Sequence, residues 1–289
     1  MSDTLQKRAL LIAGPTASGK SALAIDLARK LGGIVINADA IQVYADLRIL
    51  SARPLPEEEA KAPHRLYGRV ACTDAYSVAR WLADAKAEIA AAWANGKLPI
   101  ITGGTGLYFR ALEKGLADVP PIDDEARRRW RDFSGDIHGE LAARDPPMAA
   151  RLLPGDRQRI ARALEVFDGT GRSLLDWQRE GQSQAPLADV AVERVYMEVP
   201  RDELYARAEL RFDQMMRAGA IHEARLLADL DPALPIMKAI GVPELSAHLR
   251  GETALEDAVA AAKMATRQYI KRQLTWWRGQ MAHWTAREA

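Results

Sequence analysis

The stretch Gly14-Pro15-Thr16-Ala17-Ser18-Gly19-Lys20-Ser21 matches the pattern G-x-x-x-x-G-K-[ST], and its reading decides the fold. Glycines let such a turn wrap so that successive N–H groups point inward at phosphate oxygens. The positive end of a following helix strengthens that field, and a lysine adds a mobile full charge. Ser21 stands where such loops place a hydroxyl on Mg²⁺. The turn is preceded by the short apolar run Arg8–Ala13, read as a buried parallel strand. It is followed by Lys20–Leu31, whose leucines 23, 27 and 31 have helical spacing and which stops at Gly32-Gly33. A glycine-rich turn without a ligand is the bland alternative, and the strand-turn-helix context disfavours it.

Working outward, Ile34–Ala38 reads as a second strand and Val78–Ala94 as a helix with Ser77 as its N-cap and Asn95-Gly96 as its end. Leu98–Thr102 reads as a further strand, halted by Gly103-Gly104. This alternation predicts an α/β core with a parallel sheet and ligands at the strand C-terminal ends. From about residue 118 the texture changes to short helical pieces rich in Arg and Asp, broken by Pro120-Pro121, Pro146-Pro147 and Pro154-Gly155. No strand pattern returns until Val192–Val199. We read 120–190 as a mostly helical insertion, with 1–119 and 191–289 as the core. Glu203–Leu230 and Leu255–Trp277 are read as helices.

The 289 residues are 48% hydrophobic and 27% charged, enough for a sizeable core. One cysteine, Cys72, excludes an internal disulfide and fits a reducing compartment. The N-terminus reads neither as a signal peptide nor as a membrane span, and no apolar stretch reaches membrane length. The expectation is a cytoplasmic protein. Net charge is +1, so any affinity for nucleic acid must come from patches. One patch is Lys263, Arg267, Lys271, Arg272, Arg278 and Arg287, in a stretch free of acids between Asp257 and Glu288. Another is Arg151, Arg157, Arg159 and Arg162. Lys263, Arg267 and Lys271 share one helical face, interleaved with Tyr269, Trp276, Trp277 and Trp284; an RNA-facing surface and a solvated stripe over buried tryptophans are both open. The five histidines have no metal spacing. Met215-Met216 reads as helix core.

Asp39 follows the second strand, beside the expected phosphate loop, where an acid can take a proton from a nucleophile or complete a metal shell; equally, it can cap the next turn. Gln42 suits a base edge. Gly103-Gly104-Thr105-Gly106 closes another strand at the same edge and offers a second anion contact or simply a tight turn. No apolar strand ends in an Asp that would give an ordinary NTPase its second metal carboxylate. That favours a transferase using the loop for a diphosphate leaving group.

Taken in order, GPTASGKS, NADAIQVY, YSVARW, ITGGTGLYFRAL, DRQRIARALEV, the Arg211–Met215 region and TRQYIKRQLTWW resemble the tRNA dimethylallyltransferases over nearly the whole chain. The resemblance implies a P-loop NTPase-like parallel-sheet core, with a nucleotide-type phosphate loop of the ATP-binding kind. It also implies dimethylallyl diphosphate, Mg²⁺ and the tRNA anticodon arm as its ligands and partner; a monomer is expected. Its implied reaction is dimethylallyl transfer to the exocyclic amine of the adenosine 3′ of the anticodon. By the same resemblance, Asp39 is the general base, and Lys20, Ser21, Thr105 and Arg127 bind diphosphate or stabilise its charge. Asp39, Ala40, Ile41 and Gln42, with Gln158, Arg159, Ile160, Ala161 and Arg162, touch tRNA. Ala40 and Ser21 stand where the family more often has Ser and Thr. A small-molecule P-loop kinase is the enzyme alternative. An RNA-binding protein with a vestigial loop is the non-enzyme one.

Overall fold

The computed structural model describes residues 7–180 and 185–288. The chain forms two compact units, Met1–Leu112 with Asp189–Ala289, and Glu113–Ala188.

The first unit is built on β1 (Arg8–Ala13), α1 (Lys20–Leu31), β2 (Gly33–Asn37), α2 (Pro56–Glu59), β3 (His64–Arg65), α3 (Val78–Ala94), β4 (Leu98–Gly103) and α4 (Gly106–Lys114), the last of which leads into the second unit. The chain returns to the first unit at β5 (Ala191–Glu198). All six strands, including β6 (Thr285–Glu288), are parallel, in the order β3-β2-β4-β1-β5-β6. This is the P-loop NTPase-like α/β architecture expected. Residues 9–13 of β1 are buried on both faces, as a central parallel strand requires. Leu10 and Ile12 pack with Ala24 and Ala28 of α1, Val35, Ile100 and Met197. Because β1 feeds β2 across β4, the strand order reverses at β1, and the loops after β1, β2 and β4 meet at one sheet edge.

The second unit holds α5 (Asp124–Arg131), α6 (Ile137–Arg144), α7 (Pro146–Ala149), α8 (Arg157–Thr170) and α9 (Leu174–Glu180). Its core is Trp130, Ile137, Leu141, Met148, Ile160, Leu164 and Leu175. Glu165 is buried there and is held by Arg131 and Arg162. The helical segment read at 120–190 overlaps this unit. Back in the first unit, α10 (Arg201–Arg217), α11 (Ala220–Leu226), α12 (Val242–Leu249) and α13 (Leu255–Gln280) follow β5.

Several element bounds differ from the sequence reading. The single helix expected over Glu203–Leu230 is two, because Gly219 adopts φ +98° and turns the chain between α10 and α11. β2 begins at Gly33 and ends at Asn37, one residue earlier than expected, and α13 runs three residues past Trp277. β3 and β6 carry no apolar alternation to announce them; β6 is exposed throughout. Ser77 caps α3 as expected, accepting from the Arg80 N–H. Among the described residues no helix is long and apolar enough to cross a membrane.

Candidate active site

The phosphate loop leaves β1 at Ala13. A Cβ at Gly14 would stand 2.7 Å from Ser18 Oγ and 2.9 Å from Met197 Cβ, so the turn is wound too tightly for a side chain there. Ala17 and Gly19 take φ +66° and +84°, the left-handed conformations that let neighbouring N–H groups converge. No side chain caps α1 and its first turn holds no acid, so its leading N–H groups are left for an anion. Lys20 Nζ folds back over the turn and donates to the Pro15 carbonyl at 3.2 Å.

Beyond β2, the buried Asn37 brackets the next turn. Its Oδ1 accepts from the Asp39 N–H at 2.9 Å, while Nδ2 donates to the carbonyls of Asp39 and Leu66. Asp39 then caps the following backbone: Oδ1 accepts from the N–H groups of Ile41 at 2.9 Å and Gln42 at 3.4 Å. Oδ2 is turned the other way, 3.6 Å from where a Cβ on Gly104 would lie. The cap expected of this acid is thus made by Oδ1 alone, and Oδ2 takes no part in it. After β4, a Cβ on Gly103 would lie 2.1 Å from the Ala38 carbonyl oxygen, which only glycine accommodates. Thr105 donates its N–H to Ala38 and accepts from the Ala40 N–H at Oγ1, 3.0 Å away.

A cavity of about 480 Å³ opens on the phosphate loop, lined by Ala17–Ala22, by Arg48–Ile49 and Ala52–Leu55, and by Arg211 and Met215 of α10. The 48–50 backbone is held in place by Glu223 of α11, whose carboxylate accepts from three successive N–H groups at 2.8–2.9 Å. Burial pulls the Lys20 ammonium down to about 8; the Asp39 carboxylate opposes that shift and the Arg211 guanidinium adds to it. Arg211 is likewise lowered by burial and supported by Asp39. Two cations and one carboxylate therefore feel one another at this edge. The phenols of Tyr67, Tyr108 and Tyr269 are raised, mainly by burial, with the Asp39 charge contributing to each.

A lysine lowered to about 8 in the free protein has a definite pH consequence. Its charge is half lost at about pH 8, nearly complete a unit or more below and largely gone a unit or more above, whereas a bound anion raises the group and requires the proton. Relative to Lys20→Arg, which cancels the ligand's own ionisation, affinity for inorganic diphosphate should therefore be flat well below pH 8. Above it, affinity should fall by up to about tenfold per pH unit. Titration of Kd from pH 7 to 9.5 tests this, and Lys20→Arg should lose this part of the dependence, since arginine stays charged.

A family model described as IPP transferase matches residues 42–280, and one described as isopentenyl transferase matches residues 7–71. The tRNA dimethylallyltransferase of Azorhizobium caulinodans is 53% identical over 98% of this chain and 93% of its own length. The chain belongs to the tRNA dimethylallyltransferase family. The Nitrobacter hamburgensis tRNA dimethylallyltransferase is also 53% identical, over 97% of this chain and 91% of its own. Among solved structures, a eukaryotic dimethylallyltransferase acting on tRNA superposes with a TM-score of 0.84 at 27% identity, covering 98% of this chain and 74% of its own. The tRNA isopentenylpyrophosphate transferase of Bacillus halodurans superposes at 0.70 with 33% identity, covering 98% and 90%. These relatives do not favour the kinase alternative.

For this dimethylallyltransferase family member, the residues singled out from sequence divide into groups. Gly14, Pro15, Thr16, Ala17, Ser18, Gly19, Lys20 and Ser21 form one loop, and Asp39 and Thr105 lie on the loops beside it. Gln42 is largely committed internally: its Nε2 donates to the carbonyls of Ser51 and Ala52, leaving only Oε1. Arg127 belongs to the second unit, where its guanidinium pairs with Asp124 at 3.2 Å. On α8, Gln158, Arg159 and Arg162 are exposed. Ile160 and Ala161 are buried in the second unit's core, so their side chains are not available to RNA.

On α13, Lys263 and Arg267 are paired with Asp213 and Glu209 of α10 at 2.7 and 2.9 Å, so they pin two helices together. Trp277 and Trp284 are buried against Phe109. Met215, read as core, instead lines the cavity. Arg211 and Gln273 fall within stretches that carry the family resemblance, but the sequence reading gave neither a role. Both break an apolar helical stripe: Arg211 follows Leu204 and Ala208 by seven and three residues, and Gln273 lies between Ile270 and Trp277. A polar group on a buried stripe is the signal that could have found them.

Proposed function

We propose that this chain transfers a dimethylallyl group from dimethylallyl diphosphate to the exocyclic amine of the adenosine 3′ of the anticodon in tRNA. The observation that carries the reading is the meeting of the phosphate loop, Arg211 and the Asp39 carboxylate at one sheet edge, in a chain of this family. In the transfer, the amine nitrogen forms a bond to the allylic carbon and the bond from that carbon to the diphosphate oxygen breaks. Asp39 Oδ2 takes the proton that the amine loses, while Oδ1 stays tied to backbone N–H groups and holds the carboxylate's orientation. Loop N–H groups, Lys20 and Arg211 receive the charge growing on the departing diphosphate. Thr105, its Oγ1 already accepting from Ala40, can donate its own proton to the same anion. Ile49, Leu55 and Met215 give the cavity an apolar part suited to the hydrocarbon of the donor, beside Arg48, Arg53 and Glu58 on the same wall.

Mg²⁺ suits this donor set. It commonly keeps several waters and takes its other ligands from substrate phosphates. It would need only the Ser21 hydroxyl on the cavity wall; no cluster of three His, Cys, Asp or Glu occurs among the described residues. When bound, it supplies neutralising charge to the diphosphate.

Incubation with labelled dimethylallyl diphosphate, Mg²⁺ and unmodified tRNA, followed by nucleoside analysis, tests the reading. Label in a modified adenosine is the expected result; label released only as alcohol, or none transferred, overturns it. The anticodon arm is assigned to the exposed face of α8. Replacing Arg159 and Arg162 together by Ala should reduce the slope of log Kd for tRNA against log salt by about 0.7–0.9 per lost phosphate contact. The double variant should remain folded, because Glu165 keeps its pairing with Arg131.

A further inference from the structure

We propose that Gln273 is a positioning residue that sets the spacing between the diphosphate-holding loop and the base-holding loops. The inference rests on the transfer reaction proposed above. Gln273 lies on α13, is 5% exposed, and sends its amide into the gap between two glycine turns. Its Oε1 accepts from the Thr16 N–H of the phosphate loop at 3.0 Å. Its Nε2 donates to the Gly104 carbonyl at 3.0 Å. The orientation of the amide is dictated by its partners, since an N–H can face only the oxygen and a carbonyl only the NH₂.

The contact is close on both sides. A Cβ on Gly104 would lie 2.5 Å from Gln273 Nε2, so residue 104 must be glycine for the amide to sit there. From Gly104 the linkage continues without a break. Thr105 receives the Ala40 N–H at its hydroxyl and donates its own N–H to Ala38, which fixes the turn that carries Asp39. One buried amide thus ties Thr16, beside the diphosphate, to the loop that braces the acid. In a displacement the nucleophile, carbon and leaving group must line up within a few tenths of an ångström, and the pairing of β1 with β4 ends at Ala13 and Gly103, short of Thr16 and Gly104. A hydrogen bond to each from a third element supplies that alignment.

Two variants test this. Gln273→Met keeps the volume and removes both hydrogen bonds. Per active site, as counted by burst titration, it should lower kcat by about 10²-fold while KM for the diphosphate and for tRNA stays within about threefold. Gln273→Glu behaves differently in its two protonation states. As a neutral acid, its carbonyl can accept from Thr16 and its O–H can donate to Gly104, reproducing the amide; as a carboxylate, it sets an acceptor against an acceptor. Burial, the Gly104 carbonyl and the Asp39 charge across Gly104 favour the neutral acid, while Lys20 and Arg211 oppose it.

The ratio of Gln273→Glu kcat to wild-type kcat should therefore rise as pH falls from 8 to 6. The same ratio for Gln273→Met should stay flat. A folded Gln273→Met protein with wild-type kcat per active site overturns the proposal. So does a loss that is equal in kcat and in both KM values, or a Gln273→Glu ratio that does not move with pH. Failure of the wild-type chain to transfer at all would instead count against the proposed function.

Discussion

Asp39→Asn is expected to lower kcat for transfer by about 10³-fold while leaving the Kd for tRNA within about twofold. Asparagine is the informative replacement because Asp39 has two separate tasks. Its Oδ1 caps the backbone at Ile41 and Gln42, and an amide oxygen can do the same. Alanine would also remove the cap, at a cost of about 1 kcal/mol, and would blur structure with chemistry. What asparagine cannot do is accept the proton from the amine. It also removes the negative charge that supports the Lys20 ammonium against burial. Lys20 should then lose its proton at a lower pH than in the wild type, and diphosphate affinity should begin to fall below pH 8. The variant therefore carries a double signature: a large loss in kcat at every pH, and a shifted pH limit for diphosphate binding. Stopped-flow transfer rates with a diphosphate-binding titration would show both. Wild-type turnover in a folded Asp39→Asn protein would remove the carboxylate from the chemistry.

How far the sequence could be read depended on whether a residue's meaning is local. The phosphate loop is local: its spacing, the strand before it and the helix after it are contiguous, and the structure has each of them. The placement of Asp39 and Thr105 beside the phosphate loop was legible because both follow a strand, and in a parallel sheet the strand ends collect at one edge. Sequence alone did not reveal that one oxygen of Asp39 would make the cap and leave the other out of it, because that depends on Asn37 reaching back to bracket its peptide. The long helix drawn through Gly219 was an error of propensity, since helix-forming residues lie on both sides of a glycine that the fold uses at φ +98°. The basic face of α13 was charged as read. Two of its three charges, Lys263 and Arg267, however, meet carboxylates of α10, and such cross-helix pairing has no sequence signature. Arg211 and Gln273 come to the site from far along the chain, by tertiary packing. Each is visible beforehand only as a polar residue out of place on an apolar stripe.

Arg211→Met should lower kcat/KM for the diphosphate by at least about 10²-fold and yet leave the protein no less stable than the wild type. The two halves of that expectation have one cause. Arg211 is held in the protein at a cost: burial pulls its pKa down, and it lies near enough to Lys20 to depress that group as well. Asp39 is the one acid that supports both cations. In the absence of an anion the site therefore holds more positive charge than it neutralises, and methionine, which is uncharged and keeps the apolar stem, relieves that repulsion. With Arg211 gone, Lys20 should also keep its proton to a higher pH, because one of the causes that lower it has been removed. Binding of diphosphate reverses the balance. The anion brings the negative charge for which both cations are arranged, and a planar guanidinium can grip two of its oxygens at once. Arg211→Lys should for that reason restore charge without the fork and recover only part of the rate. Thermal unfolding of the free and diphosphate-bound forms separates the terms. The free variant should melt at or above the wild-type Tm, and added diphosphate should raise its Tm less than it raises that of the wild type. A free variant that melts well below wild type, with an undiminished gain from diphosphate, would make Arg211 a structural cation and remove it from the leaving-group site.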